Sequence, residues 1–327
     1  MLFRSKIGHH AFYECEALTS INIPESVTKI GDWAFKGCEA LTSLNIPESV
    51  TEIGYSAFSG CEALTSIVVA DENKVYDSRN NCNAIIETKT NRLIQGFANT
   101  VIPESVTKIG HHAFYECEAL TSINIPESVK WIGEYAFMGC TALTSINIPE
   151  SVKWIGDCAF EGCEALTSII VAKENKVYDS RDNCNAIIET KTKTIYLRRG
   201  CIIETKTNKT NRLIQGCANT VIPESVTEIR DWAFSGCKAL KSVTIPNSVI
   251  EIGKNAFSGC EALKSITVAK ENKVYDSRNN CNAIIKTKTN RLIQGCANTV
   301  IPESVTEIGD SAFEGCETMT SITIPNS

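Results

Sequence analysis

The chain has 327 residues, of which 43% are hydrophobic and 21% are charged, and its formal net charge is -6 at pH 7. This is an ordinary globular composition, with too few charges for a disordered chain and no apolar run long enough to span a membrane. An acidic chain has no excess of cations to neutralise phosphates, so neither nucleic acid nor an acidic membrane surface is an expected partner, and this segment should not insert into a membrane.

The first residues, MLFRSKIGHHAFYEC, lack the charged, apolar and small-residue regions of a signal peptide. They match residues 105–117, which lie within a repeating unit, and the chain stops at Ser327, just after a further unit has opened with Pro325. We therefore expect a solenoid truncated at both ends, with its capping coils and any targeting signal outside this chain.

A unit of the form P-E-S-V-T-x-I-G-x-x-A-F-x-x-C-x-A-L-T-S-I-x-I recurs along the sequence. Its prolines are 23 residues apart between Pro24 and Pro47 and again between Pro103, Pro126 and Pro149, and a period of roughly 20 to 29 residues is typical of leucine-rich repeats. Counting the strand ends predicts about twelve coils. Three of them are long, at about residues 70–102, 172–222 and 269–301.

Each short unit predicts one strand and one helical turn. In L-T-S-I-N-I, Leu18, Ile21 and Ile23 are spaced so that Ser20 and Asn22 point to the opposite face of a short strand. In A-F-x-x-C the apolar residues recur about every third position, which predicts a short helix in nine coils. The predicted fold class is α/β, a solenoid with one parallel β-sheet face.

The long coils predict β-hairpins in place of the helix. In the first of them, the apolar runs 84–88 and 92–95 flank a short polar connection. The middle long coil carries extra residues between Lys193 and Thr210, and residues 201–207 repeat the preceding I-I-E-T-K-T motif. We interpret this insertion as a slipped duplication.

The A-F-x-x-C unit, the S-V-T-x-I-G run and the Y-D-S-R-N-N-C-N-A-I-I-E-T coil resemble the BspA-like leucine-rich repeats of bacterial and protist surface proteins. The resemblance covers essentially all of residues 1–327 and implies a single solenoid. It also implies a secreted or surface-anchored protein that adheres to host proteins or other cells, although the chain shows no signal peptide or anchor. The family supplies no catalytic residues and no cofactor.

The sixteen cysteines are predicted to be buried thiols rather than metal ligands. Nine occupy one column of the short repeat, and a separate position shared by the long coils holds Phe97, Cys217 and Cys296. A phenylalanine cannot replace a ligand or a bridging cysteine, whereas it can replace a small buried hydrophobe. Zinc would require paired cysteine spacings that do not occur. Disulfides between some stacked cysteines remain the alternative.

No motif predicts catalysis, because nearly every polar residue is copied along an edge and an active site needs one asymmetric arrangement. We therefore expect no enzyme activity, no cofactor and no metal. The loop D-S-R-N-N-C-N at residues 77–83 has oxygen ligands but lacks the spacing of a calcium loop. Turn-forming side chains are favoured there over calcium.

One pair of positions stands out as a candidate binding site. Lys130-Trp131 and Lys153-Trp154 replace the usual T-K or T-E pair at outward positions of adjacent coils, so two indole rings are predicted to stack at the surface. The alternative is that the rings only cover neighbouring side chains. Other candidate surfaces are the neutral strand face and the hairpin edge around Arg198 and Arg199.

Two functions fit these features. The first is a protein-binding or adhesion module whose partner is a host matrix protein or another cell-surface protein, with a glycan left open. The second is a structural spacer that holds another domain away from a surface. The neutral strand face and the near-identity of the coils favour the spacer, whereas the extended surface and the resemblance favour binding.

Overall fold

The computed structural model describes residues 6–193 and 208–325. The chain divides into two compact units, Met1–Leu166 and Thr167–Ser327. Each unit is a run of stacked coils with a buried apolar core.

Twelve strands and one 3-10 turn are described in the first unit. The strands are β1 (Lys6–Ile7), β2 (Lys29–Ile30), β3 (Ser43–Ile46), β4 (Glu52–Ile53), β5 (Ser66–Val69), β6 (Tyr76–Asp77), β7 (Ala84–Glu87), β8 (Arg92–Gly96), β9 (Lys108–Ile109), β10 (Trp131–Ile132), β11 (Ser145–Ile148) and β12 (Trp154–Ile155), and the 3-10 turn is Arg79–Asn81.

The described part of the second unit has twelve further strands and two 3-10 turns. The strands are β13 (Ser168–Val171), β14 (Tyr178–Asp179), β15 (Ile187–Lys193), β16 (Asn208–Gln215), β17 (Glu228–Ile229), β18 (Ser242–Ile245), β19 (Glu251–Ile252), β20 (Ser265–Val268), β21 (Tyr275–Asp276), β22 (Ile284–Lys286), β23 (Arg291–Gln294) and β24 (Glu307–Ile308), and the 3-10 turns are Arg181–Asn183 and Arg278–Asn280.

Parallel pairing joins successive coils at two places. The first is the predicted strand, where β3 pairs with β5 and where Leu44 and Ile46 are buried while Ser43 and Asn45 are exposed. The second was not predicted: the two-residue strands that follow S-V-T also pair in parallel, as β2 does with β4. The coils are therefore held together by two ladders rather than by one sheet face.

The short helices predicted for nine coils are wrong, and so is the α/β class. Within residues 6–193 and 208–325 the only helical elements are the three 3-10 turns, and the A-F-x-x-C segments are runs of turns. The described residues of the two units contain about eleven β-solenoid turns, against the twelve coils predicted, and the repeat architecture itself agrees with the prediction.

Hydrogen bonds between coils explain why no helix forms. The N–H groups of Trp33 and Phe35 donate to the carbonyl oxygens of Tyr55 and Ala57 in the next coil, at 2.9 and 2.8 Å. Trp33 also has a positive φ of 52°, which lies outside the right-handed helical region. Because alternate amides bond to the neighbouring coil, the bonds from residue i to residue i−4 that define an α-helix cannot form. Apolar spacing alone does not reveal this competition.

The apolar residues of these turns nevertheless form the core, as the spacing predicted. Ala34, Phe35, Cys38 and Leu41 are all fully buried. Phenylalanine rings stack from coil to coil in nearly parallel planes, with centroids 4.9 to 5.4 Å apart, in the pairs Phe12–Phe35, Phe35–Phe58, Phe114–Phe137, Phe137–Phe160 and Phe234–Phe257. Stacked coils thus supply the core that one coil lacks.

The cysteine prediction is confirmed for the described residues. All fifteen cysteines among them are free, and eleven are buried. The Cys61 thiol donates to the Phe35 carbonyl oxygen at 3.2 Å, and burial raises its pKa to about 12. Phe97 and Cys217 are both buried at the shared long-coil position, which fits a small hydrophobe. Cys201 lies outside the described residues.

Hairpins form in all three long coils, as predicted. The antiparallel pairs are β7 with β8, β15 with β16 and β22 with β23. The second strand of each hairpin then pairs in parallel with the next short coil, as β8 does with β9. In the middle hairpin residues 194–207, which contain the proposed duplication 201–207 and the surface candidates Arg198 and Arg199, lie outside the described residues.

A glycine lets each hairpin pack against the following coil. A Cβ atom added to Gly96 would lie 2.2 Å from the Phe114 ring, and Gly216 and Gly295 meet Phe234 and Phe313 in the same way. Real Cβ atoms do not approach so closely, so a side chain at these positions would displace the phenylalanine column. The hairpins are thereby fixed against the core, with the second strand in register with the next coil.

Candidate binding surface

The first hairpin and the parallel ladder that follows it place five residues at register positions on successive strands. Glu87 is the register partner of Arg92, Arg92 of Lys108, Lys108 of Trp131, and Trp131 of Trp154. We call these five residues the outer row. Neighbouring strands in a sheet lie about 4.8 Å apart, so the row spans roughly 19 Å.

The two tryptophans predicted as a site are stacked on each other. Their ring centroids are 3.8 Å apart with an interplanar angle of 23°. Trp131 is 37% exposed, and Trp154 is half-buried. Trp154 also contacts the His111 ring edge to face, at 6.3 Å. The pair is therefore a surface feature, and the next residue of each strand, Ile132 or Ile155, is buried.

Lys130 and Lys153 flank the tryptophans and are both exposed. Their backbones belong to the coil-to-coil network, since the Lys153 N–H donates to the Lys130 carbonyl oxygen at 2.9 Å. The Lys153 ammonium group donates to the Glu150 carbonyl oxygen at 3.2 Å. The structure thus brings together all four predicted site residues on one edge of the first unit.

Two further residues of the row were missed by sequence analysis, namely Arg92 and Lys108. The Arg92 guanidinium has Glu87 as its nearest recorded carboxylate, at 3.5 Å, and its Nε atom is buried without a hydrogen-bond partner. Lys108 is exposed. Lys108 could have been found from the sequence, because it occupies the repeat position of Trp131 and Trp154. Arg92 could not, because it belongs to a hairpin rather than to a short unit.

The corresponding rows of the second unit are different in charge and contain no tryptophan. There Arg212 has Glu228 as its register partner, and Arg291 has Glu307. The Arg212 Nε atom donates to Glu228 at 2.8 Å, and the Arg291 Nε atom lies 3.2 Å from Glu307. The parallel register partner of the arginine is therefore a glutamate in these two coils and Lys108 in the first, where Arg92 has its ion pair with Glu87 alone among the described residues.

His111 and His112 take part in aromatic contacts next to the outer row. His112 is half-buried and stacks on Tyr135, with ring centroids 5.0 Å apart. Desolvation by burial is the largest cause of its lowered pKa, followed by the neighbouring His111. The His111 Nδ1 atom accepts a hydrogen bond from the Glu134 N–H at 3.1 Å, so in the neutral ring the other nitrogen carries the proton.

Neither catalytic nor metal chemistry has an obvious location in the described residues. No group of three or more His, Cys, Asp or Glu side chains in residues 6–193 and 208–325 is placed to hold a metal ion. In the loop considered for calcium, the Asp77 carboxylate accepts hydrogen bonds from the Arg79 backbone and side chain, which agrees with the turn-forming interpretation. No described helix is long and apolar enough to cross a bilayer.

Comparisons with known proteins agree with the repeat architecture. The sequence profile described as "BspA type Leucine rich repeat region (6 copies)" matches residues 5–95, 85–198 and 214–327. A solved leucine rich cell surface protein from Faecalibacterium prausnitzii A2-165 is 31% identical, with a TM-score of 0.59, over 98% of this chain and 77% of that one.

Two further solved structures match at lower similarity. A leucine-rich repeat protein from Bacteroides ovatus ATCC 8483 is 28% identical with a TM-score of 0.44, over 98% of this chain and 70% of that one. A leucine rich repeat protein from T. pallidum is 24% identical with a TM-score of 0.32, over 76% of each chain. None of the curated proteins compared matches the chain.

Proposed function

This chain belongs to the BspA-type leucine-rich repeat family, and we propose that it is a non-catalytic module that binds a protein partner through the outer row of its first unit. Leucine-rich repeats generally mediate protein binding. A secreted or cell-surface location accompanies this proposal, because the similar Faecalibacterium protein is described as a cell surface protein.

The stacked pair of Trp131 and Trp154 supports this proposal most directly. Tryptophan, tyrosine and arginine are the residues that most often dominate the energy of protein interfaces. The outer row combines two tryptophans with Arg92, and Lys130 and Lys153 lie beside them. At the same register position other coils carry a lysine or a glutamate, as at Lys29 and Glu52. The tryptophans are therefore not needed to build the ladder.

A structural spacer is the second candidate. It is supported by the exposed strand face, where Ser43 and Asn45 present small neutral groups that offer no anchor to a partner. A spacer needs no specific side chain on its surface, so the two functions differ in what the tryptophans are for.

Capture followed by affinity measurement tests the proposal. The immobilised chain is incubated with extracts of host matrix and of cell-surface proteins, and each captured protein is purified and its affinity measured. The double variant Trp131→Lys, Trp154→Lys, which takes the residue found at Lys29 and Lys108, is expected to lose at least about 2 kcal/mol of binding free energy.

A matched control separates a local effect from a general one. Val221 and Val300 are each 72% exposed and lie in the second unit, so the double variant Val221→Thr, Val300→Thr removes exposed apolar surface elsewhere. It should bind like the wild type. If the tryptophan variant binds as tightly as this control, or if nothing is captured above background, the binding module is rejected and the spacer is favoured.

A further inference from the structure

A cleft of about 270 Å³ adjoins the outer row where the first hairpin replaces a turn segment. Its lining includes Arg92 and Ile94 from the hairpin, Tyr55 from the preceding coil and His111 from the following one. Tyr55 is 64% exposed. We call this the Arg92 cleft, and its size suits a single side chain or a group of similar size rather than a large ligand.

Two carboxylates line the Arg92 cleft, and both already have partners. Asp32 accepts a hydrogen bond from the Tyr55 N–H at 2.8 Å and lies 3.1 Å from the His9 ring nitrogen. Glu52 forms an ion pair with Lys29. Neither of them forms an ion pair with Arg92, so the guanidinium is compensated by Glu87, at 3.5 Å, from outside the cleft lining.

The equivalent cleft of the second unit provides an internal comparison. It holds about 410 Å³ and is lined by Arg291, Lys254 and Asp310. Arg291 lies 3.2 Å from Glu307 and 3.5 Å from Asp310, so two carboxylates compensate it. The Arg92 cleft has His111 in place of the aspartate, and Lys108, in place of the glutamate, is the register partner of Arg92. Both differences mean that Arg92 has one negative charge fewer at each of these two positions than Arg291 has.

We propose that the Arg92 cleft and the tryptophan pair together bind an acidic polypeptide segment. A carboxylate of the segment pairs with Arg92 and Lys108, and an apolar side chain of the segment packs against Trp154 of the tryptophan pair. This inference rests on the proposed function and specifies the chemistry of its partner. Arg92 has one carboxylate beside it where Arg291 has two, and an arginine guanidinium is suited to a bidentate carboxylate.

The register of the ladder sets the spacing of the segment. Arg92 and Trp154 are three strands apart, or about 14 Å. An extended chain spans about 3.3 to 3.6 Å per residue, so about four residues separate the carboxylate from the apolar side chain. A peptide that crosses the strands at this spacing places its acidic group at the cleft and its apolar group at the tryptophans.

Charge and ring geometry favour a polypeptide over an acidic polysaccharide. Each indole has one face covered by the other ring, 3.8 Å away, which leaves less open aromatic face for a flat sugar to stack on. Glu87 is the one carboxylate of the outer row, whereas the row and its flanks carry Arg92, Lys108, Lys130 and Lys153 on a chain whose net charge is -6. This locally positive surface attracts acidic segments and repels basic ones.

A peptide titration tests the inference. The probe is a fluorescent peptide of about twelve residues in which glutamate and phenylalanine recur four residues apart, and its controls are the glutamine version of the same peptide and polygalacturonate. The wild-type chain is expected to bind the glutamate peptide at least about tenfold more tightly than either control, with an affinity that falls as salt is raised.

Variants that copy natural arrangements locate the site. Lys108→Glu recreates the pairing found at Arg212 and Arg291, so it should fold and should weaken binding of the glutamate peptide about tenfold or more. Arg92→Gln should also weaken binding of the glutamate peptide. Arg291→Gln is the matched control in the second unit and should leave binding unchanged. Circular dichroism of each variant checks that the fold is retained.

Each other result has a defined meaning. Equal binding of the glutamine peptide, tighter binding of polygalacturonate, or no binding of the glutamate peptide at about 1 mM would overturn the inference. If Trp131→Lys, Trp154→Lys abolishes capture of a protein partner while Lys108→Glu does not weaken it, the acidic-segment inference fails and the proposed function stands. If neither the tryptophan variant nor Lys108→Glu weakens capture of the partner, both the inference and the proposed function are rejected.

Discussion

Lys108 is the register partner of Arg92 in the parallel ladder of the first unit. The two other described arginines at this hairpin position, Arg212 and Arg291, face Glu228 and Glu307 instead. Two adjacent cations in place of an ion pair stabilise a sheet less, because like charges on neighbouring strands repel. This local loss of stability is the reason to assign the row to binding rather than to folding.

Replacing Lys108 should accordingly stabilise the protein while it weakens binding. In Lys108→Glu a carboxylate joins Arg92, and the unfolding free energy is expected to rise by about 0.2 to 1 kcal/mol. Urea denaturation of the variant and the wild type at low salt measures this difference. A lower stability than the wild type would mean that Lys108 has a structural role, and the reverse change Glu228→Lys should destabilise the second unit by a similar amount.

The tryptophan pair should contribute little to folding. Trp131→Lys, Trp154→Lys removes one stacked aromatic contact, which is expected to cost about 0.5 to 1.5 kcal/mol of unfolding free energy. Thermal unfolding followed by circular dichroism measures this cost. A loss of more than about 4 kcal/mol would identify the rings as core residues, because values of that size arise from cavities or buried unpaired groups.

The glycine at the hairpin junction should be intolerant of a side chain. Gly96→Ala places a Cβ atom 2.2 Å from the Phe114 ring, so we expect a loss of at least about 1 to 3 kcal/mol of unfolding free energy from overpacking. Gly8→Ala is the matched control, because nothing lies within 4 Å of a Cβ atom there. Similar stabilities for the two variants in urea denaturation would contradict the packing described.

The buried thiols predict loss of stability at alkaline pH. Burial raises the pKa of Cys61, Cys163 and Cys260 from 9.0 to about 12. Between pH 9 and about pH 12 the unfolded chain loses thiol protons that the folded chain retains. Each such thiol therefore lowers the unfolding free energy by about 1.4 kcal/mol per pH unit above pH 9, whereas below pH 9 its contribution is constant.

Urea denaturation under reducing conditions at pH 8, 9 and 10 measures this dependence. The midpoint should change little between pH 8 and 9 and fall at pH 10, and Cys61→Ala should reduce the slope. Cys15, which is exposed, provides the control, because Cys15→Ser should leave the slope unchanged. Equal midpoints at pH 8 and pH 10 would be incompatible with buried thiols.

The repeat period fixed much of the architecture in advance. It located the coils, the buried faces, the cysteine column and the three hairpins, because each depends on which residues recur on the same side of a coil. The helices were predicted wrongly because a spacing of three apolar residues suits both a helix and a run of turns. The difference lies in bonds such as Phe35 N–H to Ala57 O, which join residues of different coils.

The candidate site was predicted only in part for a related reason. Trp131 and Trp154 occupy the same position of two regular units, so their adjacency follows from the period. Arg92 belongs to a hairpin that interrupts the period. Its counterpart Arg212 bonds to Glu228, which lies 16 residues further along the chain. This separation differs from the repeat period, so an alignment of the repeats does not place the long-coil arginine beside its short-coil partner.

Zero-length cross-linking of the chain to a captured protein partner tests the central claim most directly. A carbodiimide condenses a lysine amine with a carboxylate that is in contact with it, and mass spectrometry then identifies both residues. The outer-row account predicts that the amides join Lys108, Lys130 or Lys153 to aspartates or glutamates of the partner. Cross-links confined to lysines of the second unit, such as Lys254 and Lys273, would contradict it.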